Sequence, residues 1–167
     1  MPDDPFLLLG LAPSFDLTER EIERAYLERV ALNHPDLVSD DDDAAARAAA
    51  LNDARAALLD PESRARILLT TIVGEQSDDS LPDGFLFEIM EVRSELDNAA
   101  AAGDAEQIKE WQSWADARRA EYIEKIRTQF SQLSEPPEDQ ETRAIRTTLN
   151  AWRYIERMIE QAGLVGR

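Results

Sequence analysis

The chain has 167 residues, 43% of them hydrophobic, no cysteine, and a formal net charge of -17 at pH 7 from 35 acidic and 18 basic side chains. This size and composition suit one domain or two small ones, and they exclude disulfide bonds, thiolate metal sites and cysteine nucleophiles. The acidity disfavours nucleic acid and anionic membrane surfaces as partners, although much of the charge can be a solvated helical exterior.

The first residues, MPDDPFLLLGLAPSF, carry acid where a secretory signal needs basic residues, and their apolar run is short. No segment approaches the roughly 18 consecutive apolar residues of a membrane span. We therefore expect a cytoplasmic protein without a membrane partner.

The residue pattern predicts an all-α fold, because alanine, glutamate, leucine and arginine dominate and only LLTTIV (68–73) is β-prone. A short helix is predicted from Asp4 to Leu9. The next helix begins at Thr18, where Glu21 completes a capping box, and Pro35 ends it. A third helix is predicted over AAARAAALNDARAALLD (44–60), and Asp60 followed by Pro61 begins a fourth as cap and first helical residue.

A polar stretch with glycines and a proline, GEQSDDSLPDG (74–84), indicates a boundary between domains 1–75 and 76–167. In the second domain Asp83 is predicted to cap a helix that ends at Ala102. Asp104 is predicted to cap a long helix to about Leu133, and a last helix covers 140–162. Three antiparallel helices with short loops predict a three-helix bundle.

Motifs that carry chemistry are scarce. The run DDDD (40–43) lacks the alternating ligands and turn glycine of an EF-hand calcium loop. Phosphate loops, nucleophile elbows and paired-histidine metal motifs are absent, and nothing singles out a catalytic pair among 35 carboxylates. We therefore expect a protein that is not an enzyme, with no catalytic residues, no cofactor and no bound metal.

The tripeptide HPD (34–36) contains the chain's single histidine and follows the predicted end of a helix. As a bare tripeptide it is a weak signal, and His34 could simply sit in a proline turn. Its context is more specific: a capped helix with Tyr26 on its inward face precedes it, and an alanine-rich helix follows. Together with DPFLLLGL near the start, this arrangement resembles a J domain, whose HPD loop joins two antiparallel helices and engages a DnaK-type chaperone.

Three further stretches, LNDARAALLDPESRARILL (51–69), LPDGFLFEIMEVRSELDN (81–98) and LNAWRYIERM (149–158), resemble the HscB family of J proteins. The resemblance covers nearly the whole chain and implies two partners, a DnaK/HscA-type chaperone and an IscU-type iron-sulfur scaffold. The lack of cysteine fits this family, in which the cluster belongs to the scaffold.

For the J domain, the resemblance implies a chaperone-binding set. Its members are His34, Pro35, Asp36, Arg20, Arg24 and Arg29. The sequence departs from the family pattern here, because four glutamates are interleaved with the arginines, and Asn33 and Leu37 replace the usual aromatic and lysine beside HPD.

For the second domain, helical geometry indicates two apolar sides on the helix that follows Asp83. At about 100° per residue, Phe85, Ile89, Val92 and Leu96 form one narrow stripe that can pack on the bundle, whereas Leu86 and Met90 project elsewhere. Either another helix covers this second side, or the second side is a recognition surface for a partner. With the family resemblance it implies a scaffold-binding set, which is Leu86, Phe87, Met90, Glu91, Arg93 and Tyr154.

The sequence thus predicts an HscB-like co-chaperone that stimulates a chaperone ATPase and binds an iron-sulfur scaffold. Two alternatives stay open: a J protein that delivers a different client, and a carboxylate-based enzyme on a helical bundle.

Overall fold

The structure is a computed structural model of the chain, and it describes residues 4–32, 44–103 and 105–163. Within these ranges the chain forms seven α-helices and no β-strand, which confirms the predicted all-α fold. The helices are α1 (Pro5–Leu9), α2 (Glu19–Leu32), α3 (Ala44–Leu59), α4 (Pro61–Val73), α5 (Phe85–Ala102), α6 (Ala105–Ser131) and α7 (Asp139–Gln161).

Two compact units divide the chain. The N-terminal unit, Met1–Gln76, contains α1 to α4, and the C-terminal unit, Ser77–Arg167, contains α5 to α7. The boundary predicted from the sequence lies between residues 75 and 76. Each unit buries hydrophobic side chains of its own, as an independently folding domain requires.

Capping groups begin and end the helices of the N-terminal unit. The Asp4 carboxylate accepts a hydrogen bond of 2.8 Å from the Phe6 N–H, and Gly10 ends α1 in the left-handed conformation with a φ of 72°. Before α2, the Glu21 carboxylate accepts from the Thr18 N–H at 2.8 Å, and Thr18 Oγ1 accepts from the Glu21 N–H at 3.3 Å. This reciprocal capping box satisfies two donors that the helix cannot pair internally.

The β-prone stretch 68–73 lies inside α4. Pro61 is at the first turn of this helix, and the Asp60 carboxylate accepts a hydrogen bond of 2.7 Å from the Ser63 N–H. The buried residues of this stretch have helical spacing, and their packing outweighs the β propensity of the sequence, because propensity is weak compared with tertiary packing. The buried apolar side chains of the unit are Phe6, Leu9, Phe15, Ile22, Ala25, Leu51, Ala54, Leu58, Ala65, Leu68 and Leu69.

The prediction that Asp83 caps α5 is wrong, because the N-cap is Gly84, with a φ of 78° and no side-chain capping bond. The Phe85 N–H instead donates to the Pro82 carbonyl at 3.1 Å, so the chain enters the helix through a turn. The positive φ of the last turn residue is readily adopted only by glycine. The predicted cap at Asp104 lies outside the described residues.

The C-terminal unit packs α5, α6 and α7 around one apolar cluster. Its buried members are Phe85, Ile89, Leu96, Ala115, Ala151, Ile155, Met158 and Ile159. On the α6–α7 side the Tyr122 and Trp152 rings stack with centroids 5.9 Å apart, and the Trp152 Nε1–H donates to Glu156 at 3.0 Å. Arg119 donates two bonds of 2.8 and 3.0 Å to the Glu156 Oε2 atom, so this carboxylate joins α6 to α7.

Candidate functional site

The first group of candidate residues lies on α2. Arg20 and Arg24 are both exposed and, four residues apart, share one side of the helix. The Arg24 Nε lies 3.9 Å from a Glu28 carboxylate oxygen, and both side chains are largely solvent-exposed. An exposed ion pair of this kind contributes little to the free energy of folding, so both arginines stay accessible to a partner.

Arg29 is separated from the other two arginines. Nine residues after Arg20, its side chain starts on the opposite side of α2, and it is half-buried. Its guanidinium lies against Gly10 at the end of α1, where an added Cβ would overlap the Arg29 Nη2 atom. The structure therefore brings Arg20 and Arg24 together, whereas Arg29 packs toward α1.

A polar clamp, defined here as Glu23, Tyr26, Asn52 and Arg55, joins α2 to α3. The Arg55 Nε atom donates to both Glu23 carboxylate oxygens, at 2.8 and 2.9 Å, and the guanidinium carbon lies 5.3 Å from the Tyr26 ring centroid. The Tyr26 hydroxyl donates to Asn52 Oδ1 at 2.6 Å. The Arg55 guanidinium holds the pKa of the Glu23 carboxyl below its usual range, because hydrogen bonds and positive charge favour the ionised form. The clamp fixes the two helices that flank residues 33–43.

His34, Pro35 and Asp36 lie outside the described residues. The nearest described residues on either side are Leu32, which ends α2, and Ala44, which begins α3. The structure therefore describes the two helices on either side of HPD.

The second group of candidate residues lies on α5, which has a buried side and an apolar exposed side. Phe85 and Ile89 are 8% and 5% exposed. Leu86, Phe87 and Met90 are 50%, 73% and 69% exposed. We call these last three residues the α5 apolar surface. An exposed group of three large apolar side chains within two helical turns is typical of a protein-binding site.

The three remaining candidates, Glu91, Arg93 and Tyr154, differ in their exposure and in their contacts with the bundle. Glu91 is exposed, and Arg93 is tied to the bundle because its Nη2 atom donates to Gln161 on α7 at 3.2 Å. The Arg93 Nε also lies 3.8 Å from Asp97. Tyr154 is half-buried on α7, where its ring meets the Phe85 ring edge-to-face with centroids 5.6 Å apart. Tyr154 therefore supports the buried side of α5 and does not belong to the α5 apolar surface.

Two features of these sites were not predicted from the sequence. The first is the pairing of Arg55 with Glu23 across two helices, which has no signal in the local sequence. Leu27 was also missed, although it is 62% exposed on α2 and its spacing from Arg20 and Arg24 could have indicated that the three share one side.

No group of three or more histidine, cysteine, aspartate or glutamate side chains in the described ranges is arranged to hold a metal ion. None of the described helices combines the length and apolar composition that a membrane span requires.

Comparison with protein families gives two matches that lie one after the other. Residues 4–67 match the DnaJ domain, and this range includes the HPD tripeptide. Residues 81–163 match the HSCB C-terminal oligomerisation domain, and this range includes the α5 apolar surface.

Curated relatives are similar along almost the whole chain. The co-chaperone protein HscB homolog of Paraburkholderia phymatum is 27% identical over 169 residues, which cover 96% of this chain and 93% of the relative. The iron-sulfur cluster co-chaperone protein HscB of Homo sapiens is 28% identical over 165 residues, with 94% of this chain and 67% of the human protein covered.

Solved structures of the same family have the same fold. The crystal structure of human HscB superposes with a TM-score of 0.75 at 25% identity, covering 96% of this chain and 81% of the human chain. HscB from Vibrio cholerae gives a TM-score of 0.74 at 26% identity, covering 96% and 95%. With both domain matches in this order and full-length similarity in sequence and fold, the chain belongs to the HscB family of J-domain proteins.

Proposed function

We propose that this protein is a co-chaperone that binds an IscU-type iron-sulfur scaffold and stimulates the ATPase of a DnaK/HscA-type chaperone. The observation that carries the proposal is the pairing, in one chain, of a DnaJ domain with an HscB C-terminal domain that exposes an apolar surface on α5. The DnaJ domain binds the chaperone, and the C-terminal domain binds the scaffold that is the chaperone's client.

At the chaperone end, His34, Pro35 and Asp36 act as the trigger for ATP hydrolysis. Pro35 restricts the backbone of the loop, and Asp36 pairs with a basic group on the chaperone. Arg20 and Arg24 are accessible on α2, and they attract an acidic surface of the chaperone. This attraction affects the orientation of the encounter and the association rate more than the affinity. Arg29 contributes by fixing α2 against the end of α1.

At the scaffold end, the α5 apolar surface is the central contact. Leu86, Phe87 and Met90 expose half or more of their area, and methionine adapts well to the shape of a partner. Glu91 and Arg93 are polar groups at its margin, and Tyr154 holds α5 in position through Phe85. This arrangement has an apolar centre and a polar rim, which is the usual anatomy of a protein interface.

The proposal is tested by mixing the purified chain with an IscU-type scaffold and a DnaK/HscA-type chaperone and measuring ATP hydrolysis. We expect the chain to stimulate the chaperone, and the scaffold to increase the stimulation further. Calorimetric titration with the scaffold alone should show one binding event.

Two other outcomes identify the alternatives. Stimulation of the chaperone without scaffold binding would indicate a J protein with a different client. Turnover of a small molecule by the chain alone, lost on substitution of one carboxylate, would indicate an enzyme.

A further inference from the structure

The C-terminal unit begins with eight residues outside any helix, 77–84, which we call the α5 strap because they lead into α5. The side-chain amide of Asn150 on α7 donates to the Asp78 carbonyl at 2.7 Å and to the Ser80 carbonyl at 3.0 Å. The hydroxyl oxygens of Ser80 and Thr147 lie 3.1 Å apart and share a hydrogen bond. These bonds to α7 therefore hold a segment that has no regular secondary structure of its own.

The α5 strap is also ordered internally. The Asp78 carboxylate accepts a hydrogen bond of 2.9 Å from the Ser80 N–H. Bonds from Ser80 hold the pKa of the Asp78 carboxyl below its usual range, because they favour the ionised form, and the positive charges of Arg146 and Arg143 on α7 act in the same direction. Leu81 packs against the apolar cluster of the bundle. The strap is thus fixed by a turn, by charge and by apolar packing.

One side of α7 holds both the α5 strap and the start of α5. Thr147, Asn150 and Tyr154 are spaced by three and four residues, which places them on the same side of a helix. The Tyr154 ring contacts Phe85, the first residue of α5. Gly84, the N-cap of α5, supplies no side-chain bond. The first turn of α5 therefore depends on the strap, since it has no capping side chain of its own.

This first turn contains two of the three residues of the α5 apolar surface, Leu86 and Phe87. The N–H groups of Phe87 and Glu88 donate to the Gly84 carbonyl at 3.0 and 3.2 Å. If the strap left α7, these bonds would open more readily, because the ends of helices fray. A frayed turn has to be ordered when a partner binds, and this ordering costs affinity. Met90 lies about one turn further along the helix and depends less on the strap.

We propose that Asn150 is a positioning residue for scaffold binding, which holds the α5 strap on α7 and so presents Leu86 and Phe87 on a turn that is already formed. The inference rests on the proposed function of the α5 apolar surface. Asn150 acts through the backbone of the strap and does not itself belong to that surface. An asparagine suits this role because one amide group supplies two donors, whereas an ionised aspartate of the same size supplies none.

The test combines calorimetric titration with an IscU-type scaffold and hydrogen exchange of the unbound chain. Asn150→Ala removes both donors without weakening α7, since alanine has the highest helix propensity. It should weaken scaffold binding by roughly fivefold, because loss of a hydrogen bond commonly has an effect of this size. The amides of Phe87 and Glu88 should exchange faster, and those in the middle of α6 and α7 at an unchanged rate. Asn150→Asp, which also lacks the donors, should change both quantities in the same direction.

Two altered backgrounds separate positioning from a general effect on stability. In a Leu86→Ala chain the effect of Asn150→Ala on affinity should shrink to about twofold, because one of the contacts that Asn150 positions is gone. In a Met90→Ala chain it should stay near fivefold, because Met90 lies beyond the first turn. Gln140→Ala is the matched control. It removes an exposed side-chain amide from α7 about 15 Å from Asn150 along the helix, and it should bind the scaffold as the unaltered chain does.

Unchanged scaffold affinity in Asn150→Ala would overturn the inference. Equal losses of affinity in the Leu86→Ala and Met90→Ala backgrounds, with faster exchange throughout the C-terminal unit, would also overturn it, because they would show a general role in stability. Absence of scaffold binding by the unaltered chain would instead contradict the proposed function itself, and the positioning role of Asn150 with it.

Discussion

Ile89 and Met90 are consecutive residues of α5 that face opposite environments, with 5% and 69% of their surface exposed. Ile89 packs in the apolar cluster of the bundle, whereas Met90 belongs to the α5 apolar surface with Leu86 and Phe87. One side of α5 therefore stabilises the bundle by packing in its core, and the other side is exposed to solvent. Substitutions on the two sides should have separable effects.

Leu86→Ala combined with Met90→Ala should weaken scaffold binding by about 2 to 4 kcal/mol, because apolar anchors near the centre of an interface dominate affinity. The melting temperature should barely change, since both side chains are exposed in the unbound chain. Calorimetric titration with the scaffold and a thermal melt of each protein measure the two quantities. If the pair lowers the melting temperature as much as a core substitution does, the surface is not a binding site.

Ile89→Ala is the matched core substitution. It should lower the free energy of unfolding of the C-terminal unit by about 2 to 5 kcal/mol, because it leaves a cavity among buried side chains. Protein that remains folded should bind the scaffold with nearly unchanged affinity. Chemical denaturation provides the stability, and titration well below the melting temperature provides the affinity.

Asp36→Asn and His34→Gln should each abolish stimulation of the chaperone ATPase while helicity and melting temperature stay nearly unchanged. The two residues follow the end of α2 in the sequence, and we expect them to contact the chaperone and not the core of the unit. Circular dichroism and the ATPase assay test both statements. Unfolding of the N-terminal unit by either variant would show that the residue is structural.

Glu23→Gln should lower the melting temperature of the N-terminal unit at pH 7, because it weakens the bond to Arg55. Arg55 lowers the pKa of the Glu23 carboxyl in the folded chain, so this stabilisation is present above the unfolded pKa and is lost as pH falls through the folded pKa. The difference between variant and unaltered chain should therefore narrow from about pH 5 toward pH 3. Glu28→Gln is the control, since its pairing with Arg24 is exposed and should show little difference at either pH.

Gly10→Ala should lower the free energy of unfolding by about 1 to 2 kcal/mol, because residue 10 has a φ of 72° and the left-handed conformation is unfavourable for residues with a Cβ. The new methyl group would also displace the Arg29 guanidinium. Gly103→Ala is the control, because residue 103 has the same left-handed conformation, with a φ of 65° and a ψ of 22°, and no neighbouring atom within 4 Å, so it reports the backbone effect alone. A loss no larger in Gly10→Ala than in Gly103→Ala would mean that the Arg29 contact does not contribute to the free energy of unfolding.

Much of the fold could be predicted from the sequence because its signals are local. The Thr18–Glu21 capping box, the Asp60–Pro61 start of α4 and Gly103 at the end of α5 each act within one helical turn. The division of α5 into a buried and an exposed side is equally local, since it follows from the 3.6-residue period of a helix. The resemblance to the HscB family was likewise contained in the order of its motifs.

Contacts between helices and the path of one turn could not be predicted from the sequence. Arg55 finds Glu23 on another helix, Arg29 turns toward Gly10 instead of joining Arg20 and Arg24, and Gly84 replaces Asp83 as the cap of α5. These outcomes depend on the packing of segments far apart in the chain or on the path of a turn. The sequence was enough to predict where the helices lie and which of their sides are apolar, because backbone hydrogen bonding and helical periodicity act over neighbouring residues. It did not determine which charges are neutralised and which remain accessible, because that depends on the distances between side chains of different helices.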